Sequence, residues 1–233
     1  MDFAQIRNLI HKSNPYDGFD YKSRPLDLQG WAQDETTIPE LVAMVQPSLV
    51  VEVGSWKGYS ASMFAKAIKS LPHACGLICV DTWLGAREFY STTEEKEEMW
   101  WSDMVDKPGF HTERYDALGL VNGYPTVYYQ FLANMMHLGN QDVVVPFPQT
   151  STLAGRWLRS HGVEAQLVYI DASHEYDDVL SDMNIYWDIV SRGGIMFGDD
   201  YWIDDIRRAV SDFSISKRIK IESNDRFWIL KKL

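Results

Sequence analysis

The chain has 233 residues, 45% of them hydrophobic, which suits one α/β domain with a sizeable core. Its 22 Lys and Arg against 33 Asp and Glu leave a net charge of −11, which argues against nucleic-acid and anionic-membrane partners, since both need a basic surface. Two cysteines (Cys75 and Cys79) cannot build a disulfide framework, no apolar run reaches the length of a membrane span, and the first residues lack the basic and apolar regions of a signal peptide; a soluble, cytoplasmic protein is the expectation.

Residues 3–12 read as a short helix stopped by Ser13-Asn14-Pro15. Residues 14–35 have no period and hold Pro15, Gly18, Pro25 and Gly30, so residues 1–47 are expected to form an N-terminal helical arm, with the main domain over 48–233. Thr37-Ile38-Pro39-Glu40 starts a helix that Pro47 ends. Strand 49–53 follows, then a helix over 59–70 whose Ala61, Phe64, Ala65 and Ile68 are spaced for one buried face, then strand 76–81. Residues 84–140 are too long for a plain connection and are expected as a helical insertion over the sheet edge, with helices at Glu94–Trp101 and Thr126–Leu138. Strand 143–146, helix 151–160, strand 166–171, helix 175–190, strand 194–198 and helix 203–213 resume the alternation. Strands 218–222 and 226–231 flank the turn signal Asn224-Asp225 and close the chain as an antiparallel hairpin. The prediction is a doubly wound, Rossmann-like α/β fold with a seven-stranded, mostly parallel sheet.

Four strands deliver carboxylates at their C-terminal ends: Glu52, Asp81, Asp171 and Asp199-Asp200. In an open α/β sheet that edge carries the ligand crevice. Glu52-Val53-Gly54-Ser55-Trp56-Lys57-Gly58 fits acid-x-Gly-x-x-x-Gly: Gly54 can take a turn closed to other residues, and Gly58 lets the next helix start close to a ligand. A tight turn with no ligand is the bland alternative. A dinucleotide fingerprint needs glycine two positions after the first, and Trp56 stands there, against a nicotinamide oxidoreductase. An acid at this turn suits a cationic amino acid such as the methionine end of S-adenosylmethionine. Asp81, ending the next strand, can accept from both ribose hydroxyls, with Thr82 and Trp83 beside it. Ser55 and Ser60 complete the turn, while Thr150 and Ser151 either reach the adenine edge or cap a helix.

Asp171, Asp199 and Asp200 remain. Three converging carboxylates repel one another unless a cation joins them, and hard oxygen ligands favour Mg²⁺, Mn²⁺ or Ca²⁺. His174 could be a general base, orient Asp171 or cap the following helix. Tyr201, Trp202, Trp83, Tyr90, Trp100 and Trp101 could pack on a sugar ring, on the core or on a second subunit.

The terminal antiparallel strand resembles the class I S-adenosylmethionine-dependent methyltransferase fold. Tyr169-Ile170-Asp171-Ala172-Ser173-His174-Glu175-Tyr176, with Gly193-Gly194-Ile195-Met196-Phe197-Gly198-Asp199-Asp200-Tyr201, resembles the metal-dependent sugar O-methyltransferases of the macrocin O-methyltransferase type over residues 48–232. The resemblance implies methyl transfer from S-adenosylmethionine to a hydroxyl of a sugar, glycan or other vicinal diol. It implies a metal on Asp171, Asp199 and Asp200, and Asp171 as both a cofactor-pocket residue and a base. The rival reading is a methyltransferase fold that binds the nucleoside without transferring a methyl group, as a regulator or scaffold. The arm and the aromatic insertion are candidate homodimer surfaces.

Overall fold

The computed structural model describes residues 3–29, 36–90, 115–224 and 226–233. The expected helix Glu94–Trp101, with Trp100 and Trp101, and Asp225 of the terminal turn lie outside them. In chain order the elements are α1 (Phe3–Ile10), a 3-10 turn (Tyr21–Ser23), α2 (Thr37–Val45), β1 (Leu49–Val53), α3 (Tyr59–Ile68), β2 (Gly76–Asp81), α4 (Arg87–Tyr90), α5 (Val127–His137), β3 (Val144–Pro148), α6 (Ser151–Ser160), β4 (Ala165–Ile170), α7 (Tyr176–Trp187), β5 (Val190–Gly198), α8 (Asp204–Lys217), β6 (Ile221–Ser223) and β7 (Trp228–Lys231).

One seven-stranded sheet runs in the order β3-β2-β1-β4-β5-β7-β6. The first five strands pair in parallel, and β7 pairs antiparallel with both β5 and β6. The seven-stranded, mostly parallel sheet with an antiparallel C-terminal hairpin is therefore the one expected. The order reverses between β1 and β4, which is where the crevice of such a sheet opens.

Strand alternation explains why both faces are covered. Val51, Val53, Ile78, Val80, Val168, Ile170 and Met196 point to one side and pack with Ile6, Ala154, Val179 and Phe213. Val50, Leu77, Cys79, Leu167, Tyr169, Ile195 and Phe197 point to the other and pack with Ile38, Phe64 and Phe131. Strands buried on both faces read as continuous apolar runs, which is why β1, β2 and β4 were visible in the sequence.

Among the boundaries that differ from expectation, two have a visible cause. β5 begins at Val190, not 194: Val190 pairs with Ala165, and the register then shifts through Arg192 and Gly193, the latter at φ 80°. The stretch Ser191–Gly194 looks like a turn in sequence because it holds that irregularity. α8 runs to Lys217, four residues beyond the expected end, and stops where Arg218 turns left-handed at φ 57°.

The N-terminal stretch is tied to α5 and to the glycine turn. Asn134, fully buried, accepts from the Asp27 N–H (3.0 Å) and donates to the carbonyls of Asp27 (2.7 Å) and Lys57 (2.7 Å). The buried Lys57 ammonium meets the Asp27 carboxylate at 2.6 Å. One amide side chain thus joins three segments of the chain.

Asp182, on α7 facing α6, is buried, and burial pushes its pKa up to about 6, with Ser151 pulling down and Asp178 pushing up. The folded chain therefore holds this proton at pH values where the unfolded chain has released it, so stability falls as pH rises from about 4 to 6. Asp182→Asn keeps the partner and removes the charge. In urea titrations the variant should match the wild type near pH 4 and gain by about 1–3 kcal/mol above pH 6. A difference that does not grow with pH would contradict this account.

Candidate active site

The site lies at the C-terminal ends of β1, β2, β4 and β5. Gly54, at φ 89°, ends β1 in a conformation closed to residues with a side chain, and its N–H donates to Val80 at 2.9 Å. A Cβ here would lie 2.0 Å from the Asp171 carbonyl oxygen, so glycine is what lets the ends of β1 and β4 meet. At Gly58, also at φ 89°, a Cβ would meet the side chains of Met135 and Phe131, so its bareness serves packing against α5.

Pleating places Glu52 between Cys79 and Tyr169 in register, on the face that α3 covers. Its Oε2 accepts from the Ser55 hydroxyl at 2.6 Å and the Cys79 thiol at 3.2 Å, whereas the buried Oε1 has no hydrogen-bond partner among the described residues. Burial pushes its pKa up, and Ser55, Ser60 and Cys79 pull it back. A buried carboxylate oxygen left unpaired is costly, and a cationic ligand would satisfy it.

Asp81 does more than its position in the sequence suggests. Its Oδ2 accepts from the backbone N–H groups of Ser55 (2.9 Å) and Trp56 (2.8 Å), and its Oδ1 from that of Trp83 (2.7 Å). It ties the glycine turn to the end of β2. Burial raises its pKa while these donors lower it. Trp83 is buried, and its indole N–H donates to the Trp56 carbonyl at 2.7 Å, so its ring supports the turn from below. The Thr82 hydroxyl accepts from the Leu84 N–H at 3.3 Å. The Thr150 hydroxyl accepts from the Leu153 N–H at 3.3 Å, the capping role, and the Ser151 carbonyl accepts from the Tyr186 hydroxyl at 2.9 Å.

At the ends of β4 and β5 the acids separate into two sets. Donor atoms of Asp171, His174 and Asp200 all lie within 4.8 Å of one another. The Tyr169 hydroxyl donates to Asp171 Oδ2 at 3.0 Å, and His174 Nε2 meets Asp200 Oδ2 at 2.9 Å. The Trp202 indole donates to Asp200 Oδ1 at 3.0 Å. Asp199 turns away: Arg226 Nε and Nη2 contact its Oδ1 at 2.7 Å and Oδ2 at 2.5 Å. The trio brought together thus contains His174 where the sequence suggested Asp199. The backbone explains the division. Adjacent residues of an extended strand face opposite sides, and Asp200, at φ 57°, turns the chain back toward β4.

Burial, then Asp199 and Asp200, push the Asp171 pKa well above the usual carboxylate range, with His174 and Tyr169 opposing. Burial also raises Asp200, but the hydrogen bond and charge of His174 outweigh it and leave the group lowered. At Asp199 burial pushes up and Arg226 pulls down, while the guanidinium is held more firmly protonated by that carboxylate.

Two residues that sequence reading did not single out belong to this edge. Tyr169 stands two before Asp171 on the same face of β4, a strand-period signal that was available. Arg226 had no such signal, because it arrives from 27 residues away, just before β7.

Residues 51–201 match a family model described as a methyltransferase domain. The chain belongs to this family of methyltransferase domains. No curated protein matches it in sequence. Among solved structures, an O-methyltransferase from Bacillus cereus in complex with SAH is 12% identical and superposes with a TM-score of 0.55 over 98% of this chain and 96% of that one. TomG, an O-methyltransferase of Streptomyces achromogenes in complex with SAM, is 13% identical, with TM-score 0.53 over 99% and 95%. CalS11, a TDP-rhamnose 3′-O-methyltransferase of calicheamicin biosynthesis, is 14% identical, with TM-score 0.53 over 85% and 78%. At these identities the likeness is one of fold, and the fold is that of the class I methyltransferases. The family match sets aside the nicotinamide alternative. Among the described residues no helix of this methyltransferase is long and apolar enough to cross a membrane.

Proposed function

We propose that this methyltransferase moves the methyl group of S-adenosylmethionine to a hydroxyl of a small acceptor bearing neighbouring hydroxyls, a sugar or another vicinal diol, with a divalent cation at Asp171, His174 and Asp200. The observation that carries the reading is the convergence of those three side chains on the strand edge that also holds the glycine turn. The fold neighbours supply support: two are complexes with SAH or SAM, and one is described as acting on a nucleotide sugar.

The unpaired Glu52 Oε1 fits the ammonium of the cofactor's methionine end, and Asp81 and the turn around Gly54 would hold its ribose and carboxylate. The donor set of two carboxylates and an imidazole fits a divalent cation, which supplies the positive charge that makes a bound hydroxyl easier to deprotonate. Tyr169 occupies one oxygen of Asp171, and the other has no hydrogen-bond partner among the described residues. We assign the proton acceptor to that oxygen, since His174 Nε2 is engaged with Asp200. In such a transfer the acceptor oxygen would take the methyl group as the carbon–sulfur bond breaks, leaving the neutral thioether of S-adenosylhomocysteine, and Asp171 would take the hydroxyl's proton. Trp202, with 47% of its surface exposed beside Asp200, offers a flat face for the acceptor ring.

The test is calorimetric titration with S-adenosylhomocysteine on wild type and Glu52→Gln. Asp81→Ala is a poorer probe, since it also frees the turn. Glu52→Gln should bind at least about tenfold more weakly, the loss of one charged contact. Its ligand-free form should be at least as stable as the wild type at neutral pH. The folded pKa is raised, so the ionised Glu52 costs stability once pH exceeds its unfolded value, and Gln removes that cost. Equal affinity in the two proteins would move the cofactor's amino group away from Glu52; no binding to either would end the cofactor assignment.

A further inference from the structure

We propose that Arg226 withdraws Asp199 from cation binding, so that the site takes its cation on two carboxylates and the His174 imidazole and prefers Mn²⁺, Co²⁺ or Zn²⁺ to Mg²⁺ and Ca²⁺. The inference rests on the reading of this edge as a cation site and adds which cation it selects. A run of acids ending β4 and β5 would by itself suggest an all-oxygen site. The fold changes that through β7. An antiparallel strand beside β5 starts where the parallel strands end, so the residue leading into it arrives at the carboxylate edge.

Arg226 is fixed there by several contacts. Its carbonyl accepts from the Tyr201 N–H at 2.7 Å, its N–H donates to Asn224 Oδ1 at 2.9 Å, and its guanidinium lies 5.3 Å from the Phe227 ring centre. Both oxygens of Asp199, whose side chain is only 6% exposed, are taken by the guanidinium fork. A buried, two-point ion pair of this kind is not given up easily, because separating it strands a charge. Asp199 Oδ1 also accepts from the Asp200 N–H at 2.8 Å, so the pair steadies the left-handed residue that aims the Asp200 carboxylate at His174. Three carboxylates and one guanidinium leave two negative charges, which one divalent cation matches. Imidazole nitrogen is a ligand that Mn²⁺, Co²⁺ and Zn²⁺ accept far more readily than Mg²⁺ or Ca²⁺.

The experiment measures Mn²⁺ binding by electron paramagnetic resonance, with Mg²⁺ and Ca²⁺ as competitors, on wild type, Asp200→Asn, His174→Gln and the neutral double variant Asp199→Asn with Arg226→Gln. S-adenosylhomocysteine affinity and thermal unfolding show whether each variant is folded. Asp200→Asn should lower Mn²⁺ affinity by about tenfold or more. The double variant should stay within about threefold of wild type, since it removes no ligand. Bound Mn²⁺ should show spin-echo modulation from an imidazole nitrogen that His174→Gln abolishes, and that variant should lose Mn²⁺ preference over Mg²⁺. A folded double variant as impaired as Asp200→Asn, or no nitrogen modulation in wild type, would overturn the inference while leaving the cation site standing. Failure of wild type to bind Mn²⁺ at all would overturn both.

Discussion

Asp171→Asn should lose methyl transfer by about a thousandfold while binding S-adenosylhomocysteine within a few-fold of wild type. The substitution is nearly isosteric. Asparagine can still accept the Tyr169 hydroxyl, and the backbone bond from the Asp171 N–H to the Val53 carbonyl, 2.8 Å, is untouched. What disappears is the group whose pKa is raised by burial and by Asp199 and Asp200, and to which we assign the acceptor's proton. Burial and the neighbouring acids make this carboxylate a better proton acceptor than a solvated one, and general-base catalysis is worth about 10²–10⁴. The cofactor contacts assigned here, Glu52 and the turn tied by Asp81, lie on β1 and β2 and do not depend on that charge. Single-turnover methyl transfer and calorimetry on the same preparation separate the two quantities. A parallel loss of cofactor affinity would show that Asp171 holds the cofactor and would remove it from the chemistry.

Gly54→Ala should be the most destabilising single methyl addition in the described chain, by about 3 kcal/mol or more. Two costs coincide there. The backbone sits at φ 89°, a region other residues seldom enter, and the new Cβ would stand 2.0 Å, 2.5 Å and 2.6 Å from three backbone atoms of Asp171 and Ala172. No side-chain rotation relieves a clash with backbone, so β1 and β4 must part. Their parting breaks the bond from Asp171 to Val53 and separates the two halves of the site. Gly18→Ala and Gly162→Ala are the controls. They share the positive φ, 72° and 65°, but have nothing within 4 Å of the new atom, so each should cost about 1 kcal/mol from backbone preference alone. Urea midpoints of the three variants decide the matter, and a Gly54→Ala protein as stable as its controls would contradict the close approach of the two strand ends.

What the sequence by itself determined is whatever neighbouring residues determine together. Continuous apolar runs announce strands buried on both faces, so β1, β2, β4 and most of β5 could be read directly, as could the carboxylates that end them. The glycine turn was legible because only glycine supports its backbone, and the final hairpin because β6 and β7 are neighbours in the chain. Tyr169 could have been found by the same alternation that places Asp171. The tertiary structure decided which groups meet across strands. It set Asp199 against Arg226, 27 residues apart, and His174 against Asp200, 26 apart. It also passed Asn134 between Asp27 and Lys57, 107 and 77 residues away. Such pairs depend on strand order and on the left-handed turn at Asp200, and no local periodicity encodes either. Strand ends collect acids because each strand runs the same way, a property of the repeating unit. Which acid then faces an arginine and which a histidine depends on the one strand that runs the other way.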